Sequence, residues 1–138
     1  MQYNFEATCS KDQLRAIRQF VRNTLSKHSI ADLEINAMVL AVEEVCANLI
    51  IHSHNCNSID LLKIDINIEP NKGVTFQIMD KGLGFDINGY KEPTLQEIIK
   101  TKKKGGLGLM LVRRIMDDIE YKQDVSHNIY RLFKRCNN

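Results

Sequence analysis

Residues 41–54 read AVEEVCANLIIHSH, and they contain the pair of polar residues on which the interpretation of the chain depends. Glu44 and Asn48 are four positions apart, so both side chains lie on one face of a helix. Apolar residues recur around them at helical spacing, which predicts a long helix from about residue 32 to about residue 52. The simplest interpretation is two polar residues at the solvent edge of that helix. The functional interpretation is a carboxylate base beside an amide oxygen that can bind Mg²⁺.

A second stretch, DKGLGFD at residues 80–86, directly follows an alternating apolar run. On its own, D-x-G-x-G is a weak signal that fits a strand end and a glycine-rich turn. The functional interpretation makes Asp80 a hydrogen-bond acceptor at the strand end. Gly82 and Gly84 would then let a planar ligand approach the backbone closely.

A third stretch, KKKGGLGL at residues 102–109, joins a basic run to a glycine-rich turn. It precedes a helix predicted over residues 107–116. A helix start presents free backbone N–H groups and the positive end of the helix dipole to an anion. The stretch is not a Walker P-loop, because G-x-x-x-x-G-K-[ST] is absent. A solvated charge run with a flexible joint is the alternative.

The rest of the chain alternates between strand and helix patterns. Ser10 and Gln13 form an S-x-x-Q helix start, and Pro70 to Gly73 form a turn between two alternating apolar runs. We expect the turn at Ser126-His127-Asn128 to affect only the edge of the sheet. The predicted elements, in chain order, are a strand at 3–7, helices at 11–27 and 32–52, strands at 62–68 and 74–78, a long loop at 81–106, a helix at 107–116, and strands near 119–124 and 129–135. This order predicts an α+β two-layer sandwich with a mixed, mostly antiparallel sheet and helices on one face.

Length and charge restrict the functional classes. The chain has 138 residues with 19 basic and 17 acidic side chains, a net charge of +2, which fits one domain over residues 1–138 without a bulk attraction to nucleic acid or an acidic membrane. No apolar run is long enough to span a bilayer and no signal peptide is apparent, so we expect a cytoplasmic location. The four scattered cysteines are expected to be reduced. A zinc site in the stretch His52 to Cys56 is a weak hypothesis, because no fourth ligand follows at suitable spacing.

Together and in this order, the three stretches resemble the N, G1 and G2 boxes of the GHKL superfamily of ATPases and kinases, which have the Bergerat (histidine-kinase-like ATPase) fold. AVEEVCANLIIHSH, DKGLGFD and GGLGLMLVRRIMDDIEY are most similar to the stand-alone serine/threonine kinases of the anti-sigma factor type (RsbW-like).

The resemblance assigns a role to each motif residue. It implies that Glu44 is the general base, that Asn48 holds Mg²⁺ and contacts the nucleotide, and that Asp80 binds the adenine amino group beside Gly82 and Gly84. It also implies an ATP lid over about residues 86–104. The phosphate-binding residues implied by the G2 box are Lys104, Gly105, Gly106, Leu107 and Gly108, with Lys102 and Lys103 as further candidates.

The same resemblance implies a Mg-ATP-dependent kinase that phosphorylates a STAS-domain antagonist, with sequestration of a sigma factor as a further role. A homodimer is compatible with that subfamily. Two alternatives stay open. One is a nucleotide-binding anti-sigma or scaffold module without kinase turnover. The other is a detached catalytic domain of the histidine-kinase type, since E-x-x-x-N also occurs there.

Overall fold

The computed structural model describes residues 1–50, 61–80, 104–123 and 127–136, with backbone only for 104–108. A short 3₁₀ turn over Lys11–Gln13 precedes the first α-helix. The helices and strands are β1 (Gln2–Thr8), α1 (Leu14–Ser26), α2 (Asp32–Asn48), β2 (Leu61–Glu69), β3 (Gly73–Asp80), α3 (Lys104–Ile115), β4 (Asp118–Gln123) and β5 (Asn128–Arg135).

The strands form one sheet in the order β1-β2-β3-β5-β4, and every pairing among the described strands is antiparallel. One face of the sheet packs against the helices in a common hydrophobic core. The Phe5 ring of β1, for example, stacks on the Phe20 ring of α1 with centroids 4.9 Å apart. The predicted α+β sandwich is therefore confirmed, and its sheet is antiparallel wherever it is described.

The hairpin β2–β3 positions the end of the central strand. Alternate residues of β2 are buried, which follows from a strand with one face on the core. In the turn, the Lys72 backbone N–H donates to the Glu69 carbonyl at 3.1 Å, and Asn71 takes the left-handed conformation with φ of 62°. This geometry confirms the predicted hairpin and fixes the register that carries β3 to Asp80.

The first helix begins later than the S-x-x-Q pattern predicts. Ser10 Oγ accepts a hydrogen bond from the Asp12 backbone N–H at 3.3 Å, and residues 11–13 form a 3₁₀ turn before α1 starts at Leu14. The predicted α-helix over 11–27 is therefore wrong at its first turn.

Polar contacts connect α1 to α2. Arg18 Nη1 lies 2.6 Å from Glu43 Oε1, and Arg22 Nη1 donates to Asn36 Oδ1 at 2.7 Å.

The third helix begins earlier than predicted. It starts at Lys104 rather than at residue 107, so the glycine run belongs to its first turns and does not precede it. α3 packs against α2. The predicted loop over 81–106 is therefore wrong at its end, and of the expected lid at 86–104 only Lys104 lies within the described residues.

Candidate functional site

The last turn of α2 carries the predicted pair Glu44 and Asn48, both partly buried. Asn48 Nδ2 donates to the backbone carbonyl of Glu44 at 2.7 Å. A carbonyl can only accept, so this bond fixes which amide atom is the nitrogen and leaves Oδ1 as the atom that can ligate a cation. A neutral amide oxygen beside a carboxylate is a donor set that suits Mg²⁺. The structure thus brings the two residues together as the spacing predicts.

Glu44 is in an environment that disfavours its charge. Burial raises the pKa of its carboxyl above the ordinary value, and the neighbouring charge of Glu43 raises this pKa further. A carboxylate with a raised pKa is a stronger base than an exposed one, so the environment suits proton transfer.

Glu43 has a different environment, although it is the adjacent residue. Its side chain is in a salt bridge with Arg18 of α1, with 2.6 Å between Nη1 and Oε1. The Glu43 side chain is 22% exposed and that of Arg18 is 44% exposed, so the pair is at the surface between the two helices. The salt bridge holds the Glu43 carboxylate between the two helices, which makes Glu43 a weaker candidate for a base than Glu44.

Asp80 is the last residue of β3 and is only 1% exposed. Its Oδ1 accepts a hydrogen bond from Asn128 Nδ2 at 2.9 Å. Asn128 Oδ1 in turn accepts from the Tyr121 hydroxyl at 2.8 Å. The buried Asp80 carboxyl group is therefore held by a series of side-chain hydrogen bonds that runs from β3 through β5 to β4.

Asp80 is also close to the helix that carries Glu44 and Asn48. Burial raises the pKa of the Cys46 thiol, and the charges of Cys9, Glu43 and Asp80 add to this effect in that order. Cys46 lies between Glu44 and Asn48 in the same helical turns. The Asp80 carboxylate is therefore within electrostatic range of Cys46 near the end of α2.

Asn128 and Tyr121 are linked to Asp80 by hydrogen bonds, although none of the sequence motifs contains them. The expectation that the turn before β5 affects only the sheet edge is wrong, because Asn128 is 1% exposed and bonds directly to Asp80. In the sheet, Asn128 is the register partner of Asp80. The pairing of β3 with β5 brings Asn128 next to Asp80. The sequence alone does not specify this register, so it contains no signal that identifies Asn128.

The third motif is placed at the start of α3. Lys104, Gly105, Gly106, Leu107 and Gly108 occupy its first five positions. Backbone N–H groups in the first turn of a helix have no partner within the helix and can bind an anion. The backbone therefore fits the predicted phosphate contact.

Several predicted residues lie outside the described part of the chain. They are Gly82, Gly84, Lys102, Lys103 and the stretch from His52 to Cys56 with its zinc hypothesis. Within the described ranges, no three His, Cys, Asp or Glu side chains converge to hold a metal ion. No helix among the described residues combines the length and apolar character needed to cross a membrane.

The domain is an α+β sandwich whose antiparallel sheet is covered by helices on one face, with Glu44 and Asn48 on one helix face and a buried Asp80 at a strand end. The model of the histidine kinase-like ATPase domain family matches residues 6–134, nearly the whole chain. The chain belongs to this family.

Curated relatives include serine-protein kinases named RsbW. The protein from Oceanobacillus iheyensis is 30% identical over 103 residues, which cover 72% of this chain and 61% of the relative. The protein from Bacillus thuringiensis is 25% identical over 112 residues, which cover 78% of this chain and 69% of the relative. The chain thus spans about two-thirds of the length of these relatives.

Solved structures support the fold at low sequence identity. The RsbU and RsbW domains of a Mycobacterium tuberculosis protein align with a TM-score of 0.69 and 12% identity, covering 98% of this chain and 32% of that one. A chain of the SiaB-SiaC complex from Pseudomonas aeruginosa aligns with a TM-score of 0.63 and 13% identity, covering 97% of this chain and 89% of that one.

Proposed function

We propose that this chain is a Mg-ATP-dependent serine/threonine protein kinase of the anti-sigma factor type. The observation that carries the proposal is the end of α2, where a partly buried Glu44 with a raised pKa and an oriented Asn48 share a helix face. Membership of the histidine kinase-like ATPase family supports nucleotide binding at this place. The curated name of the RsbW relatives supports a protein hydroxyl as the acceptor.

Each motif has a part in binding Mg-ATP. Asp80 accepts a hydrogen bond from the adenine amino group, and Gly82 and Gly84 keep the role that the motif resemblance implies. The α3 start, from Lys104 to Gly108, contacts the phosphates through backbone N–H groups. Asn48 Oδ1 would hold Mg²⁺, and the ion would supply positive charge against the phosphate oxygens.

Glu44 acts on the acceptor hydroxyl. The hydroxyl oxygen forms a bond to the γ-phosphorus while the bond from that phosphorus to the β–γ bridging oxygen breaks. ADP leaves with the electron pair, and the Glu44 carboxylate takes the hydroxyl proton. Burial supports this role because it raises the proton affinity of the carboxylate. Glu43 is not assigned the role because its carboxylate is held by Arg18.

The proposed acceptor is a serine or threonine on a STAS-domain antagonist or a protein of similar function. A sigma factor is the proposed second partner, and phosphorylation of the antagonist would decide which partner is bound. A fold likeness to a chain of the SiaB-SiaC complex is compatible with a domain that works by binding a partner protein.

The test is an affinity isolation from native lysate with and without Mg-ATP, with partners and phosphosites identified by mass spectrometry. We expect a partner with a new acid-stable phosphoserine or phosphothreonine when the bait is wild type or Glu43→Gln. We expect that phosphosite to be absent when the bait is Glu44→Gln, which retains the size of the side chain. Equal phosphorylation by the Glu44→Gln protein would contradict the proposed mechanism.

The same experiment separates the alternatives. Partners that bind in a nucleotide-dependent way without any phosphorylation would favour an anti-sigma or scaffold module. Acid-labile phosphohistidine on the partner would favour a detached histidine-kinase-type domain.

A further inference from the structure

A continuous hydrogen-bonded chain of side chains across three strands joins the partly buried Tyr121 to the buried Asn128 and Asp80. The Tyr121 hydroxyl donates to Asn128 Oδ1 at 2.8 Å, and Asn128 Nδ2 donates to Asp80 Oδ1 at 2.9 Å. Asp80 and Asn128 are each 1% exposed. Buried polar groups in such a chain fix one another's orientation, because an unpaired partner would be costly.

The order of donors determines what Asp80 offers to a ligand. A phenol hydroxyl donates to an amide oxygen, so the bond from Tyr121 fixes Oδ1 of Asn128 on the β4 side. The amide nitrogen then faces Asp80 and can only donate. The bond from Asn128 holds Oδ1 of Asp80 as an acceptor and so fixes the orientation of the carboxyl group at the end of β3.

We propose that Tyr121 and Asn128 are positioning residues that hold Asp80 as a hydrogen-bond acceptor and so make the site select a purine with an amino group over one with a carbonyl group. The inference rests on the proposed function, in which Asp80 binds the base. It adds two residues, on β4 and at the start of β5, that none of the three sequence motifs contains.

Removal of the Tyr121 hydroxyl tests the inference with a small change. In Tyr121→Phe, Asn128 Oδ1 loses the bond from the phenol, so the amide that donates to Asp80 Oδ1 is held less firmly. The Asp80 carboxyl group is then less well oriented to accept from an adenine amino group. The ring contact between Tyr121 and Tyr130, with centroids 4.8 Å apart, is retained by phenylalanine.

The probe pair is ATP and inosine triphosphate, because inosine carries a carbonyl at the position of the adenine amino group. Dissociation constants for both, measured by calorimetry with Mg²⁺ in excess, give a selectivity ratio. We expect about a 10- to 100-fold preference for ATP in the wild-type protein. In Tyr121→Phe the ratio is expected to fall by about 5-fold or more. A general loss of protein stability weakens the binding of both nucleotides and does not change the selectivity ratio.

Tyr3→Phe is the matched control. Tyr3 is a partly buried tyrosine on β1, at the opposite edge of the sheet, and its hydroxyl lies 3.0 Å from His28 Nε2. The selectivity ratio is expected to stay at the wild-type value in this variant. A Tyr121→Phe ratio equal to that of wild type and Tyr3→Phe would overturn the inference but leave the proposed function intact. A wild-type protein that binds neither nucleotide would overturn both.

Discussion

The salt bridge between Arg18 and Glu43 is expected to stabilise the fold measurably, although it lies at the surface. Its Nη1–Oε1 distance is 2.6 Å, and the side chains are 44% and 22% exposed. Exposed pairs contribute about 0.2 to 1 kcal/mol, and the short distance with the partly buried carboxylate places this pair in the upper half of that range. We therefore expect a coupling free energy of about 0.5 to 1 kcal/mol.

A double-mutant cycle with Arg18→Ala, Glu43→Ala and the double variant measures this coupling by urea unfolding. The control is the pair of Lys63 and Glu6, which joins β2 to β1 with 3.8 Å between Nζ and Oε1 and side chains 51% and 59% exposed. We expect the control pair to couple by about 0.2 kcal/mol or less. In about 1 M salt both couplings should fall, because screening acts over about 3 Å. Equal couplings for the two pairs would refute the argument from distance and burial.

The remaining predictions concern the two adjacent carboxylates and one glycine. Glu43→Gln removes a charge that raises the pKa of Glu44, so the acidic limb of the phosphotransfer pH profile should move to lower pH. The pKa of Glu44 is raised in the folded state, so the ionised Glu44 carboxylate destabilises the fold once the pH has risen through that pKa. Glu44→Gln should therefore raise the melting temperature at neutral pH, and this gain should disappear in acid. Gly73→Ala should destabilise by about 1 to 3 kcal/mol in urea unfolding, because a Cβ there would lie 2.4 Å from the Lys134 carbonyl oxygen and 2.9 Å from the Phe133 ring. An unchanged pH profile would contradict the prediction for Glu43→Gln, and an unchanged melting temperature that for Glu44→Gln. An unchanged unfolding midpoint would contradict the prediction for Gly73→Ala.

The hairpin β2–β3 and the end of α2 were predictable because their signals are local. Buried positions alternate with more accessible ones along each strand of the hairpin, and the turn contains its own conformational signal at Asn71. Likewise, the spacing of Glu44 and Asn48 is sufficient to place them on one helix face.

The helix starts were less predictable because tertiary packing and local bonds compete with sequence patterns. Ser10 caps a 3₁₀ turn by accepting a hydrogen bond from the Asp12 backbone N–H, whereas the S-x-x-Q pattern predicted an α-helix there. Gly105 and Gly106 are poor helix formers, so the pattern placed the start of α3 after them, yet the helix includes them.

The contact between Asn128 and Asp80 could not be predicted at all. These residues are 48 positions apart and meet only because β5 inserts between β3 and β4. No periodicity or motif in the sequence specifies that strand order. The part of the site that depends on long-range sheet register was therefore visible only in the structure.

The most direct test of the central claim compares phosphotransfer by Glu44→Gln with that by Glu43→Gln, both under single-turnover conditions with Mg-ATP and the isolated partner. The account predicts a loss of about 10²- to 10⁴-fold for Glu44→Gln, as expected when a general base is removed, and a change of less than about 5-fold for Glu43→Gln. Equal rates for the two variants, or a larger loss for Glu43→Gln, would contradict the assignment of Glu44 as the base of a serine/threonine kinase.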